Sequence, residues 1–240
     1  MEECISVFDM LKIGVGPSSS HTLGPWRAAE RFLEELRQDF DLNSITRVKV
    51  DLYGSLSLTG KGHATDLAVM LGLSGQDPEY IPVQDIDGII KAIENNHLIQ
   101  LGNEKALPFY ILQDIVFHKE FLPFHANGLT FTAFFENETE YASTFYSIGG
   151  GFVVKEERSN AKKKIAIKCA FPFPINNAAE LLDYTQKENK SISEIVYANE
   201  ISMRPEAEVH SELLRIWHTM LECMYIGCHS EGILPGGLNV

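Results

Sequence analysis

The sequence predicts an α/β (α+β) domain with a mixed sheet and helices, followed by an all-helical segment that begins a second domain. Short stretches of alternating apolar residues, which are typical of strands, are interspersed with helical patterns in the first two thirds of the chain. After residue 173 the patterns are helical only. A chain of 240 residues is long enough for one large or two small domains.

The predicted domain boundaries follow this change of character. We predict the α/β domain at residues 1–158, a linker at 159–172 and the first helices of an incomplete helical domain at 173–240. The linker prediction depends on KEERSNAKKKIA, a charged stretch without strong periodicity. The closing EGILPGGLNV is typical of a loop that leads onward, so we expect the chain to end within the helical domain.

Several elements are predicted in the α/β domain, beginning with a helix in GPSSSHTLGPWRAAERFLEEL. Val48, Val50 and Leu52 alternate with polar residues and predict a strand that starts at Ile45. GHATDLAVMLGL and IDGIIKAIENN have apolar residues at helical spacing and predict two helices. ALPFYILQDIVFH, LTFTAFFE and YASTFYSIGGGFVV are rich in aromatic and β-branched residues, so we expect strands that form two sequential hairpins.

Three helices are predicted in the second segment, in NNAAELLDYTQKEN, SISEIVYANEIS and EAEVHSELLRIWHTMLECMYIGCH. Asn177 and Ser193 are the expected N-caps of the first two. Cys223 and Cys228 lie in the third helix. Core packing is the favoured interpretation for these cysteines, because a metal site would need a second pair at the right spacing.

Composition excludes several classes of function. The net charge of −13 opposes attraction to a polyanion, so no nucleic-acid partner is expected. No apolar run reaches the roughly 18 residues of a membrane helix, and the acidic start MEECISVFDML is unlike a signal peptide. We therefore expect no membrane contact and a cytoplasmic location, with the four scattered cysteines reduced.

Ser18, Ser19, Ser20 and His21 precede a predicted helix, and three interpretations stay open. One serine caps the helix while the others are solvated turn residues. Alternatively, the hydroxyls, free backbone N–H groups and helix dipole form a cradle for a carboxylate or phosphate. A serine nucleophile is the weakest interpretation, because the stretch lacks G-x-S-x-G. The sequence has no G-x-x-x-x-G-K-[ST] phosphate loop.

A second polar cluster, YGSLSLTGKGHATD, follows the predicted strand, where α/β proteins often carry sites. The unperturbed pKa of His63 suits proton transfer near neutrality, although a polar turn residue would fit the same pattern. HANGL fits a turn in which Asn127 and Gly128 have positive φ. The three glycines of SIGGGF favour a bulge, a hinge or a close approach to another domain.

Taken together, FDMLKIGVGPSSSHTLGPWRAA, DLYGSLSLTGKGHATD, NGLTF, FYSIGGGF and EGILPGGL resemble the N-terminal half, or beta domain, of bacterial single-chain iron-sulfur L-serine dehydratases (L-serine ammonia-lyases). The resemblance implies conversion of L-serine to pyruvate and ammonia without pyridoxal phosphate. It implies that His63 is the catalytic base and that Thr65 orients it. The implied substrate-binding residues are Ser18, Ser19, Ser20, His21, Thr65 and Asn127.

The same resemblance implies a 4Fe-4S cluster whose ligands lie outside this chain. The family's ligand motifs are not matched by any of the four cysteines, Cys4, Cys169, Cys223 and Cys228. We therefore expect no metal ligand in this chain and no activity from the chain alone. The expected partners are L-serine, a cluster-binding helical domain in the same full-length chain or in a partner subunit, and a second copy in a homodimer.

The α/β part also resembles the allosteric substrate-binding domain of D-3-phosphoglycerate dehydrogenase. That resemblance implies a different class of function, in which the chain binds serine or another small anion as a regulatory or dimerisation module and contributes no catalytic group.

Overall fold

A computed structural model describes residues 5–16, 18–156 and 171–232. These residues fall into two compact units, one within Ile13–Asn160 and one within Met1–Lys12 together with Ala161–Gly232. The α-helices are α1 (Val7–Met10), α2 (Gly24–Asp39), α3 (Gly54–Leu58), α4 (Thr65–Leu73), α5 (Val83–Asn96), α6 (Ile111–Asp114), α7 (Ala178–Glu188), α8 (Ile192–Ile201) and α9 (Glu206–His229). The strands are β1 (Ile45–Leu52), β2 (Leu98–Leu101), β3 (Lys105–Pro108), β4 (Ile115–Phe117), β5 (Gly128–Phe135), β6 (Glu140–Gly149) and β7 (Phe152–Lys155).

The main sheet has five strands in the order β4-β1-β5-β6-β7. Strand β1 is parallel to β4 and antiparallel to β5, and β5, β6 and β7 form two successive antiparallel hairpins. The α/β class with a mixed sheet is therefore confirmed, as is the hairpin that joins LTFTAFFE to YASTFYSIG. ALPFYILQDIVFH forms no hairpin with β5, because its strands pair with β2 and β1. A separate two-stranded sheet pairs β2 with β3.

The prediction of one strand in ALPFYILQDIVFH was wrong, because the segment divides into β3, α6 and β4. Asp114 is the last residue of the short helix α6. Its carboxylate accepts from the Tyr110 N–H at 2.7 Å, just before the helix, and from Arg47 Nε at 2.6 Å. The contact with Arg47 is made by a residue distant in sequence, so the aromatic and β-branched composition of the segment did not indicate the break.

The core of the α/β unit lies on one face of the main sheet. Val48, Val50 and Leu52 of β1 are fully buried, which confirms the predicted alternation. Helix α2 lies over this face, and the Phe32 ring stacks on that of Phe131 from β5 at 5.2 Å between centroids. The helix predicted in IDGIIKAIENN is also present, as α5.

The helix predicted in GHATDLAVMLGL begins later than expected, at Thr65. A 3-10 turn at Gly60–His63 precedes it, and Ala64 between them has a left-handed backbone with φ 54°. The chain therefore changes direction immediately after His63.

The second unit is helical. Asn177 caps α7 by accepting from the Glu180 N–H, as predicted, but Ser191 and not Ser193 caps α8. The physical reason is a reciprocal capping box, in which the side chains of Ser191 and Glu194 each accept from the other's backbone N–H. Helix α1 belongs to this unit because the Glu200 carboxylate accepts from Ser6 Oγ at 2.8 Å and from the Val7 N–H at 2.7 Å.

Helix α9 buries only Val209 in the described part of the chain. Cys223 and Cys228 are exposed, so the expectation that they pack in a core was wrong. The apolar side of the helix is also exposed, at Leu214, Trp217, Met220, Leu221, Met224, Tyr225 and Ile226. In none of the described helices is an apolar stretch long enough to cross a membrane.

The predicted linker, except for its last two residues, lies outside the described residues, as does most of EGILPGGLNV. The predicted domain boundaries therefore stay a prediction.

Candidate active site

The serine stretch forms a π-helical turn, Ser19–Leu23, that runs directly into α2. Ser18 caps this turn, because its Oγ accepts from the His21 N–H at 3.2 Å. The capping interpretation is therefore confirmed for Ser18. Turns of the π type are rare in proteins and are frequently found at functional sites.

The position of His63 is fixed by a hydrogen bond from its own ring. Its Nδ1 lies 2.9 Å from the Thr59 carbonyl oxygen. Because a carbonyl oxygen only accepts, the proton of a neutral His63 is on Nδ1 and the lone pair is on Nε2. The side chain is half-buried. A half-buried imidazole with an unprotonated Nε2 is what a general base requires.

Two threonines connect the His21 turn to the His63 turn. Thr22 Oγ1 donates to the His63 carbonyl at 2.9 Å, and Thr65 Oγ1 donates to the His21 carbonyl at 2.6 Å. Both threonines are buried. The two imidazole centroids are consequently 5.0 Å apart. Thr65 thus holds the backbone at His21. The prediction that Thr65 orients the His63 ring was wrong, because that ring is hydrogen-bonded to the Thr59 carbonyl instead.

Hydroxyl groups contact both nitrogens of the His21 ring. Ser20 Oγ lies 2.8 Å from Nδ1, and Ser55 Oγ lies 2.9 Å from Nε2. Partial burial, and then the charge of His63 nearby, lower the pKa of His21 below its usual value. Ser55 was not among the predicted site residues. Its only sequence signal was its place just after the end of β1, in the loop that carries His63.

The ends of β5 and β6 support the serine turn from a third direction. Ser147 Oγ donates to the Ser20 carbonyl at 2.7 Å. Asn127 in turn donates from Nδ2 to the Ser147 carbonyl at 3.1 Å and accepts from the Ser147 N–H at 3.0 Å. Asn127 therefore acts on the serine turn through Ser147 of β6, and its expected contact with the substrate stays a prediction.

The predicted positive φ at Asn127 and Gly128 was wrong. Gly128 instead begins β5 where space is short, because a Cβ there would lie 2.7 Å from the Leu122 side chain. The glycines of SIGGGF all have positive φ, and the pairing of β6 with β7 shifts between Ser147 and Gly149. Of the three interpretations of this motif, the bulge is confirmed.

The fold thus brings most of the predicted site residues together. Ser18, Ser20, His21, His63 and Thr65 form one cluster, and Asn127 joins it through Ser147. The Ser19 side chain is exposed. Across the described ranges, no three His, Cys, Asp or Glu side chains are placed to hold a metal ion.

Comparison with known proteins agrees with these motifs. The family model "Serine dehydratase beta chain" matches residues 6–158. The L-serine dehydratase of Haemophilus influenzae is 40% identical over 238 residues, or 98% of this chain and 52% of that protein. L-serine dehydratase 1 of Escherichia coli K12 is 40% identical over 237 residues, with the same coverage of each chain. The L-serine dehydratase of Streptomyces coelicolor is 42% identical over 238 residues, again 98% of this chain and 52% of that protein.

This chain therefore spans about half the length of these relatives. The family match covers the whole of the site cluster, from the serine turn to Ser147. A chain with this match, and with both histidine motifs in one site, belongs to the serine dehydratase beta chain family.

Proposed function

We propose that the chain is part of an L-serine dehydratase and supplies a general base and a substrate pocket to an active site completed by the remaining half of the protein. The observation that carries this proposal is the bond between His63 Nδ1 and the Thr59 carbonyl, which leaves Nε2 free to accept a proton. His21 and the serine hydroxyls beside it provide donors for a small polar substrate.

The proposed role of His63 is to remove the Cα proton of L-serine. A Cα–H beside a carboxylate is weakly acidic, so its removal needs a base held at the right place. His63 Nε2 takes this proton, and loss of the β-hydroxyl then gives aminoacrylate, which tautomerises and hydrolyses to pyruvate and ammonia. We assign proton transfer and substrate positioning to this chain, and departure of the hydroxyl as hydroxide to the half of the protein that this chain does not span.

The 4Fe-4S cluster implied by the family does not fit the described residues. A cluster needs several thiolates close together, whereas Cys223 and Cys228 are exposed on one helix and the described residues offer no third ligand beside them. We therefore place the cluster ligands in the half of the relatives that this chain does not span. The exposed apolar side of α9 supports the presence of such a partner domain, because contiguous exposed apolar side chains mark surfaces that are normally covered.

The test uses this chain combined with the part of the Haemophilus influenzae relative that it does not span. We expect His63→Ala to lower the rate of pyruvate formation about 10²- to 10⁴-fold, the usual contribution of a general base. Exchange of the serine Cα proton with D₂O should fall in parallel. His97→Asn, at an exposed position directly after α5, is the matched control and should leave both rates unchanged. Near-normal elimination by His63→Ala would remove His63 as the base.

The chain alone, free of iron, should not deaminate L-serine. If it does, the proposal of a site shared between two halves is wrong. Titration of the isolated chain with L-serine addresses the alternative, a regulatory or dimerisation module resembling the allosteric domain of D-3-phosphoglycerate dehydrogenase. That alternative would be favoured if the isolated chain binds L-serine and the combined protein does not convert L-serine to pyruvate. The cytoplasmic location and the homodimer stay predictions.

A further inference from the structure

The His21 imidazole is held at both nitrogens by residues from two separate segments of the chain. Ser20, at Nδ1, precedes His21 in the π-helical turn. Ser55, at Nε2, lies in α3, which begins two residues after the end of β1. The contact with Ser55 is therefore a tertiary one, and it fixes the ring relative to the sheet.

These contacts fit an arrangement of protons in which Ser55 is the acceptor. The His21 N–H already donates to Ser18 Oγ, which lies 3.4 Å from Ser20 Oγ. If Ser18 then directs its own proton to Ser20, the Ser20 hydroxyl proton is free to donate to Nδ1. A neutral imidazole carries one N–H, so that proton lies on Nε2 and points at Ser55 Oγ. Successive hydrogen bonds that all point in one direction strengthen each other.

A neutral His21 is also what the surroundings favour. Partial burial, and then the charge of His63, lower the pKa of His21, and they outweigh the hydrogen bond with Ser55, which raises it. Two imidazoles with centroids 5.0 Å apart repel each other when both are protonated.

We propose that Ser55 is a positioning residue: its hydroxyl accepts the Nε2 proton of His21 and thereby holds that ring in a single tautomer beside His63. This inference rests on the proposed function and deepens it. Ser55 acts through His21, and it needs no contact of its own with the reacting atoms.

The first test is made on the 240-residue chain and is independent of catalysis. Long-range ¹H–¹⁵N correlation spectra distinguish an imidazole protonated on Nε2 from one protonated on Nδ1. The His21 resonances are assigned from their absence in His21→Gln. We expect the wild-type chain at neutral pH to show His21 protonated on Nε2. Ser55→Ala should give a mixture of tautomers, whereas Ser55→Thr, which retains the hydroxyl, should restore the wild-type spectrum.

Ser57 on the same short helix provides the matched control, and Ser57→Ala should leave the His21 spectrum unchanged. Two results would overturn the inference. One is a wild-type His21 protonated on Nδ1. The other is a Ser55→Ala spectrum identical to that of the wild type.

The second test measures elimination by the combined protein. Loss of one positioning hydrogen bond should lower kcat about 10-fold with little change in KM, because it weakens the arrangement needed in the transition state. Ser55→Thr should recover most of the rate. If Ser55→Ala changes the tautomer but not kcat, the role in the reaction is overturned. If wild-type protein shows no elimination while the tautomer result holds, the proposed function fails and the structural role of Ser55 stands.

Discussion

Gly24 should be required for the contact between α2 and β6. A Cβ built on Gly24 would lie 1.9 Å from Ser147 Oγ and 2.7 Å from Ser147 Cβ, so Gly24→Ala must push the start of α2 away from β6. Forcing extra volume into such a packed site costs about 1–3 kcal/mol. Loss of the bond from Ser147 Oγ to the Ser20 carbonyl adds about 1 kcal/mol. The expected loss of unfolding free energy is therefore about 2–4 kcal/mol.

Chemical denaturation followed by Trp26 fluorescence measures this loss. Trp26 is 1% exposed and lies in α2, so it reports on the right unit, and Trp217→Phe removes the signal of the other tryptophan. Gly88→Ala is the matched control. A Cβ at Gly88 meets nothing within 4 Å, so Gly88→Ala in the interior of α5 should raise the unfolding free energy by about 0.5–1 kcal/mol.

A double variant tests whether the clash is the cause. Ser147→Gly removes the two atoms that a Cβ on Gly24 would meet at less than 3 Å and leaves the Ser19 carbonyl oxygen at 3.4 Å. In that background Gly24→Ala should cost close to nothing, because the remaining distance is an ordinary van der Waals contact. The clash does not limit stability if Gly24→Ala unfolds at the wild-type denaturant concentration, or if its cost in unfolding free energy is the same with and without Ser147→Gly.

Three further predictions concern buried polar groups. Ser143 Oγ is the one buried side-chain oxygen or nitrogen in the described ranges without a hydrogen-bond partner. In denaturant titrations Ser143→Ala should therefore raise the unfolding free energy by about 1 kcal/mol, and a decrease would contradict this. Glu200→Gln should weaken the charged bonds to the chain's N-terminal segment and speed hydrogen exchange at the Val7 amide, and unchanged exchange would show that the charge is unimportant. Burial and Glu156 raise the pKa of Tyr146 to about 12, whereas the pKa of this tyrosine in the unfolded chain is near 10. The unfolding free energy should therefore fall as the pH rises from about 10 towards 12, and this extra loss should be absent in Tyr146→Phe.

Much of the fold could be predicted because it depends on local patterns. The alternation in β1 and the helical spacing in α5 each indicate which face is buried, and the structure has both elements in the predicted segments. The cap at Ser191 was also available from sequence, since Ser191 and Glu194 have the spacing of a capping box. The break at α6 was not, because its closing contact is made with Arg47, far away in sequence.

The candidate site divides in the same way. Both histidines stood out from their residue types and from their positions at turns, but their proximity depends on bonds between separate segments. Ser55 escaped notice because a serine after a strand is ordinary by itself. Only the fold shows that its hydroxyl meets the ring of His21.

The backbone around the site explains why its local sequence was misleading. Ala64 is left-handed although it is not glycine, which costs about 1–2 kcal/mol, and Gly54 is left-handed where a Cβ would lie 2.4 Å from the Ala126 carbonyl. The hydroxyl bonds of Thr22 and Thr65 contribute about 1 kcal/mol each and so offset the strain at Ala64. A continuous helix from residue 62 would remove that strain, but it would also break both bonds and separate His21 from His63. The site is therefore stabilised by tertiary contacts against the local preference of its own sequence.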